Sequence, residues 1–379
     1  MEPVRIALIG IGGMGGYHLK CLMETPDLKL VAVCEKNIER EDVIRSLAVV
    51  KEHSIPTYDD YVKMLEGIDA EAVLVATPHF FHVPMAMAAL ERGFHVFCEK
   101  PPAPVASECD KMLKAKKKHK KLVGIHFQST GVPSAVRLKE LISAGELGRI
   151  KEIVTTMFWY RAEEYYSRSP WAGKKKVGES WCLDGVMMNQ SIHYLNQSLF
   201  FASPSPAPAV ARAGAVRSAL YRAHATPALE MEDIACLKVE VEGGVKFYFY
   251  GTTCARELYE LRRDTVEIEV VGERGKAIWD GKTLTVSLDG REPATFEAPV
   301  GPNYMHVNFV RAIREGEKLH SPLQEAVKCI PIVEGAYRSA NWNIKKVTWS
   351  DVAGLHEVLK KASANRCLPG ELPDRPGWA

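Results

Sequence analysis

"RIALIGIGGMGGYH", Arg5 to His18, runs from a β-branched apolar segment straight into a cluster of glycines. Gly10, Gly12 and Gly15 stand at G-x-G-x-x-G spacing, after a strand pattern and at the opening of a helix pattern. Each has a physical task. Gly10 permits a tight turn, Gly12 keeps side-chain bulk away from a bound anion, and Gly15 lets the helix lie close on the strand. The helix N-terminus then offers free N–H groups to a diphosphate. Ile11, Gly13 and Met14 complete the predicted loop.

Glu35 ends the next strand pattern, 20 residues after Gly15. A carboxylate there accepts hydrogen bonds from ribose hydroxyls and repels a 2′-phosphate. Loop and acid together predict a dinucleotide site for NAD, with NADP left open by Lys36 beside the acid.

Outward from this stretch the first third alternates. "RIALIG", "LKLVAVCE", "AEAVLVATP", "HVFCEKP" and "KLVGIHF" are short apolar runs separated by helix-length segments, the rhythm of a doubly wound parallel sheet of the Rossmann type. After Gly124 longer strand patterns are joined by turns at Gly243-Gly244, Asp280-Gly281 and Asp289-Gly290. These predict an α+β domain with a largely antiparallel open sheet. Helix patterns cover 133–144, 191–201, 306–315 and 323–340. The expected domains are 1–124 for the dinucleotide, 125–345 for substrate and oligomerisation, and an irregular tail at 346–379. The lysine run at 111–121 closes a helix pattern, where cations favourably meet the dipole.

Lys and Arg number 49 against 47 Asp and Glu, a net charge of +2, which gives no basis for a nucleic-acid partner. Nine cysteines without a C-x-x-C pair suggest neither a disulfide framework nor a zinc knuckle. No apolar stretch nears ~18 residues and no leader pattern opens the chain, so a cytoplasmic protein without membrane contact is expected. His79 and His82 lack an acidic or thiol partner nearby in sequence, so no metal is expected.

Two later strand patterns end unusually, in Thr77-Pro78 with His82 following, and in Glu99-Lys100-Pro101. The combination of "GIGGMG", "ATPHFFH" and "CEKPPA" resembles the glucose-fructose oxidoreductase / inositol dehydrogenase / MocA superfamily over roughly residues 4–345. The resemblance implies hydride transfer between a nicotinamide cofactor and a hydroxyl carbon of a sugar or cyclitol, in a homodimer or homotetramer. It also implies that Lys100 meets both cofactor and substrate, and that Thr77, Pro78 and His82 lie along the cofactor; Glu99, which the strand end places in the cleft, and Gln128, a polar group expected to face it, are added as candidate cofactor contacts.

The superfamily carries an Asp-x-x-x-His pair on a helix of its second domain. Here His193 stands at the matching place, with Asn189 for the aspartate and Asn196 at a position often acidic in relatives. An amide orients an imidazole without stabilising its cation. Histidine suits the proton transfer because its unperturbed pKa lies near neutrality. Lys100 would bond the same oxygen. The aromatic segment 158–173 predicts either a sugar platform with Arg161, Arg168, Tyr166 and Trp171, or rings of Trp159, Tyr165 and Trp171 packed between domains or subunits; Asp184 follows as a hydroxyl acceptor or replacement acid. Two other functions fit the same residues: an NAD-retaining hydrolase or lyase with a closed redox cycle, and a nonenzymatic NAD sensor.

Overall fold

Val4–Ile9 (β1) lies inside a six-stranded sheet with β2 (Leu28–Cys34), β3 (Thr57–Tyr58), β4 (Ala72–Val75), β5 (His95–Cys98) and β6 (Val123–Ile125). The order is β3-β2-β1-β4-β5-β6 and every pairing is parallel. Burial on both faces explains the unbroken apolar runs: Ala72, Val73, Leu74 and Val75 are all fully buried. The two-residue edge strand β3 gives no sequence pattern of its own. The order reverses between β1 and β4, the point at which such sheets open a crevice beyond their carboxyl ends.

We describe a computed structural model, which covers residues 2–255, 265–347 and 355–373. Two units are evident, residues 1–131 with 300–327, and residues 132–299 with 328–379. The boundaries differ from the expected 1–124 and 125–345 because the chain returns to the first unit. Helix Tyr304–Glu315 contributes Met305, Phe309 and Val310 to the core that holds Ile6, Leu8 and Phe97. Its apolar stripe is legible in sequence, but the sheet that covers the stripe is not.

The second unit contains β7 (Ile150–Phe158), β8 (Lys176–Val177), β9 (Ser180–Trp181), β10 (Ala213–Arg222), β11 (Ile234–Val241), β12 (Val245–Thr252), β13 (Thr265–Gly272), β14 (Gly275–Trp279), β15 (Leu284–Leu288), β16 (Ala294–Phe296) and β17 (Lys345–Lys346). Nine of these form one sheet, β16-β15-β14-β13-β7-β12-β11-β10-β17, with β8 and β9 as a separate hairpin. Pairings are antiparallel except β7 with β12 and β10 with β17.

One face of β7 meets helix Ile192–Ala202, where Thr155 Oγ1 lies 2.7 Å from Ser198 Oγ. The other face packs Val154, Phe158 and Tyr250 against Leu359, Ala362 and Leu372. The expected irregular tail is therefore corrected: helix Leu355–Ala364 docks on the sheet, with Tyr250 Oη 3.0 Å from the carbonyls of Ala362 and Cys367. The last six residues of that tail lie outside the described residues. Eight of the nine cysteines are buried and Cys367 is half-buried. No described helix is long and apolar enough to cross a membrane.

Candidate active site

Strand register places the motifs of the first unit on one edge. Ile9 pairs with Val75 and Val75 with Cys98, so Gly10, Ala76 and Glu99 leave the sheet side by side. A Cβ on Gly15 would stand 2.2 Å from the Gly10 carbonyl oxygen, and one on Gly10, at φ +88°, 2.7 Å from that of Ala76. Only glycine fits either place. The space over Gly13 is open, with nothing within 4 Å of a Cβ there, and helix Met14–Glu24 begins just beyond. A glycine-lined cradle of this kind at a helix N-terminus fits a diphosphate.

Glu35 is held at the tip of β2: Oε2 accepts from the Ile11 N–H at 3.0 Å and Oε1 from the Asn37 N–H at 2.8 Å. Lys36 is exposed. Asp42 Oδ2 accepts from the Gly13 N–H at 2.7 Å and is paired with Arg40 at 2.6 Å. Partial burial would raise the Asp42 carboxyl, but the Gly13 N–H and Arg40 hold it below the usual range.

Thr77, Pro78 and Lys100 are half-buried and the Gln128 side chain is exposed. The His82 ring is buried, 2.8 Å from the Pro101 carbonyl and 2.9 Å from that of Thr77. Burial pushes it down to about 4, so the neutral ring donates to one carbonyl at a time. His82 thus shapes the loop from behind, correcting the expectation that it lies along the cofactor.

Glu99 also faces inward, at 4% exposure. Oε1 lies 2.8 Å from His18 Nε2 and 2.8 Å from His126 Nδ1, while Oε2 accepts from the Lys100 N–H at 3.0 Å. Burial would raise this carboxyl; His126 and His18 outweigh it and hold it well below the usual range. Both oxygens are engaged, so Glu99 braces the lysine turn and its expected place among cofactor contacts is corrected. His18 Nδ1 lies 2.9 Å from His306 Nε2. Burial lowers His18 and pushes His306 down to about 2. With Glu99 ionised and His18 neutral, the network assigns a proton to His18 Nε2 and another to His306 Nε2. The His18, Glu99 and His126 donor atoms lie within 4.8 Å of one another. The 2.8 Å separations are hydrogen-bond lengths, shorter than two ligands on one ion require.

In the second unit the expected single helix is broken. Asn189 ends helix Val186–Asn189 and His193 is the second residue of helix Ile192–Ala202. A widened bond, Ser191 N–H to the Val186 carbonyl at 2.8 Å, interrupts the ladder between them. Asn189 and His193 are both half-buried. Asn189 Nδ2 donates to Asp184 Oδ1 at 2.7 Å and lies 3.3 Å from Tyr165 Oη, to which Gln190 Nε2 donates at 3.0 Å. Asp184, 2% exposed, also accepts from the Gly173 N–H at 2.7 Å, so it works from inside and is not a surface acceptor for substrate hydroxyls.

The Arg168 guanidinium lies 3.8 Å above the Tyr165 ring and 4.9 Å from that of Trp171, while Arg161 lies 4.8 Å above Trp159. Tyr166 is a correction: it is buried, with its hydroxyl 2.8 Å from Thr253 Oγ1, while the neighbouring Tyr165 ring carries the Arg168 guanidinium.

The family description "Oxidoreductase family, NAD-binding Rossmann fold" matches residues 4–127, and "GFO/IDH/MocA C-terminal domain" matches 135–278. The chain belongs to the Gfo/Idh/MocA oxidoreductase family. Its first domain is that family's NAD-binding Rossmann fold. The rhizopine catabolism protein MocA of Rhizobium meliloti is 25% identical over 364 residues, 93% of this chain and 100% of that protein. Inositol 2-dehydrogenase of Salmonella typhimurium is 32% identical over 152 residues, 38% of this chain and 43% of that enzyme. The chain thus spans about two-fifths of the length of the curated relatives of this kind that it matches. Levoglucosan dehydrogenase in complex with NADH has the same fold, at TM-score 0.75 and 19% identity over 90% of this chain and 98% of that one. So has the WlbA dehydrogenase of Bordetella pertussis with NADH and UDP-GlcNAcA, at TM-score 0.72 and 21% identity over 90% and 97%.

In this Gfo/Idh/MocA chain the residues that sequence reasoning missed are mostly partners from elsewhere in the chain: His18, His126 and His306 around Glu99, Arg40 and Asp42 at the glycine loop, and Gln190 beside Asn189. One signal was present. His18 falls on the buried helix stripe with Gly15, Leu19 and Leu22, where an imidazole needs a partner.

Proposed function

We propose that the chain is an NAD-dependent dehydrogenase that oxidises a hydroxyl-bearing carbon of a sugar or cyclic polyol, or reduces the matching ketone. Lys100 carries this conclusion. It leaves the sheet one residue beyond Glu99, on the edge that bears the glycine loop and two strands from it, about 10 Å at ordinary strand spacing. A binding module has no use for an ammonium group there. The names of relatives support the substrate class: inositol 2-dehydrogenase, and D-glucoside 3-dehydrogenase of Escherichia coli at 31% identity over 39% of this chain.

When bound, NAD supplies the hydride acceptor. Lys100 donates a hydrogen bond to the substrate oxygen and lowers that hydroxyl's proton affinity; in the reverse direction it stabilises the developing alkoxide. His193 takes the hydroxyl proton. Asn189 stands where the superfamily has an acid and, with its amide nitrogen fixed by Asp184, adds no negative charge. Glu35, already set by two backbone N–H groups, favours ribose hydroxyls over a 2′-phosphate, hence NAD over NADP.

Incubation with NAD and a panel of inositols, aldoses and glycosides tests the proposal. Steady accumulation of NADH is expected from at least one polyol. Substrate turnover without accumulation would instead mark a hydrolase or lyase with a closed redox cycle, and dinucleotide binding without any turnover would mark a sensor.

A further inference from the structure

Four elements send polar side chains to one buried point behind Lys100. His18 comes from helix Met14–Glu24, Glu99 from the end of β5, His126 from the residue after β6, and His306 from helix Tyr304–Glu315. The ring centroids of His18 and His126 are 4.7 Å apart and those of His18 and His306 5.1 Å. All four residues are between 0% and 4% exposed. Burying a carboxylate and three imidazoles is unfavourable unless every strong donor and acceptor is matched, and it adds nothing to packing that apolar residues would not supply. The bonds at Glu99 show what the arrangement holds. Two go to imidazoles, and the third, at 3.0 Å, goes to the N–H of Lys100 itself.

We infer that Glu99 is a positioning residue for Lys100, held ionised and inward by N–H donors from His18 and His126. The inference rests on the dehydrogenase proposal for its effect on turnover. The peptide from which the lysine leaves is fixed from behind by the carboxylate, and the carboxylate is fixed by a histidine on the helix whose N-terminus forms the diphosphate cradle. His306 completes the set by donating to His18 Nδ1, which keeps His18 Nε2 protonated toward Glu99. Tyr17, His82 and Cys98 also feel the Glu99 charge. Loss of a histidine donor frees Glu99 and hence Lys100, leaving the glycine loop able to bind dinucleotide.

Donor geometry gives a specific test on the full chain. His18→Leu and His126→Leu remove the donors. His18→Gln restores an N–H near the Nε2 position, and His126→Asn restores one near the Nδ1 position. With the best polyol of the panel, kcat is expected to fall roughly tenfold or more in each leucine variant, with KM for NAD within about threefold, and to recover to within about threefold of wild type in the amide variants. A merely structural role would lower the melting temperature of the leucine variants without this split and without donor-specific rescue.

A second readout does not depend on turnover. The pH dependence of Lys100 acetylation by acetic anhydride, followed by peptide mass spectrometry, is expected to shift down by about half a pH unit or more in Glu99→Gln, because removing a neighbouring negative charge lowers an amine's proton affinity. If no polyol is oxidised, the dehydrogenase proposal fails while this titration still decides the role of Glu99. Unchanged lysine titration in Glu99→Gln overturns the inference, as does unchanged kcat in both leucine variants.

Discussion

At the strand-end edge of the first unit the binding surface is made of backbone, whereas in the second unit the candidate chemistry is made of side chains. Gly10, Gly13 and Gly15 shape the cradle by lacking side chains, and two distant acids, Glu35 and Asp42, accept from its N–H groups. Around Asn189 the reverse holds: Asp184, Tyr165 and Gln190 fix one another through hydrogen bonds, with Arg168 laid over Tyr165. A backbone-made site tolerates no added atom. A side-chain-made site tolerates exchange as long as donors and acceptors still match.

The largest effect expected from that contrast is at Gly15. Gly15→Ala places Cβ 2.2 Å from the Gly10 carbonyl oxygen, and one of the two backbones must move. Calorimetry is expected to show dinucleotide affinity reduced about a hundredfold or more, with stability lowered by about 1–3 kcal/mol. Retained affinity would mean that the cradle is not where the diphosphate rests.

Next comes the polar cluster of the second unit. Asp184→Ala leaves the Gly173 N–H and Asn189 Nδ2 without this acceptor, a loss of about 2–4 kcal/mol in urea unfolding. Asn189→Asp, which restores the superfamily's residue, would bring two carboxylates together where an amide now donates at 2.7 Å. Repulsion raises the carboxyl pKa in the folded state above its unfolded value. Stability is therefore kept in acid and lost as pH rises, and the variant should be weaker than wild type by about 1–3 kcal/mol at about pH 8 and nearly equal to it in mild acid.

A smaller effect is expected at Glu232. Burial pushes its carboxyl up to about 7, against the lowering effect of the Tyr337 hydroxyl at 2.7 Å and the Met187 N–H at 3.1 Å. The native state holds a proton that the unfolded chain releases in the ordinary carboxylate range. That stability is complete below this range and is lost as pH rises through about 7. Glu232→Gln should flatten this dependence, measured as urea midpoints at about pH 5 and about pH 8.

The smallest is Asp42→Ala. This removes a carboxylate from the Gly13 N–H, a group offered to a diphosphate. Dinucleotide affinity should tighten by about two- to fivefold, a modest gain for an exposed ion pair, and unchanged binding would show that the loop does not feel Asp42.

How much the sequence could say follows the same division. The glycine loop, Glu35 and the Glu99-Lys100-Pro101 turn lie in short windows and announce themselves by spacing, as do the strands whose two buried faces demand continuous apolar runs. Helix Tyr304–Glu315 shows an apolar stripe, but that it joins Phe97 in the first unit is decided by tertiary packing over some two hundred residues. His18 meets Glu99 across 81 positions and Asn308 meets Lys318 across 10, and no local pattern distinguishes the long pairing. The choice of Tyr165 over Tyr166 depends on which ring a single turn points inward, and the break between Asn189 and Ile192 depends on one widened hydrogen bond.

The most direct measurement is the rate of NADH appearance with the polyol panel, taken side by side for wild type and Lys100→Ala after dinucleotide affinity has been measured for both. Steady NADH formation by wild type, a fall of about a hundred- to a thousandfold in the variant, and affinities within a few-fold of each other are the predicted result. Full activity of Lys100→Ala, or no NADH from any polyol despite tight NAD binding, would contradict it.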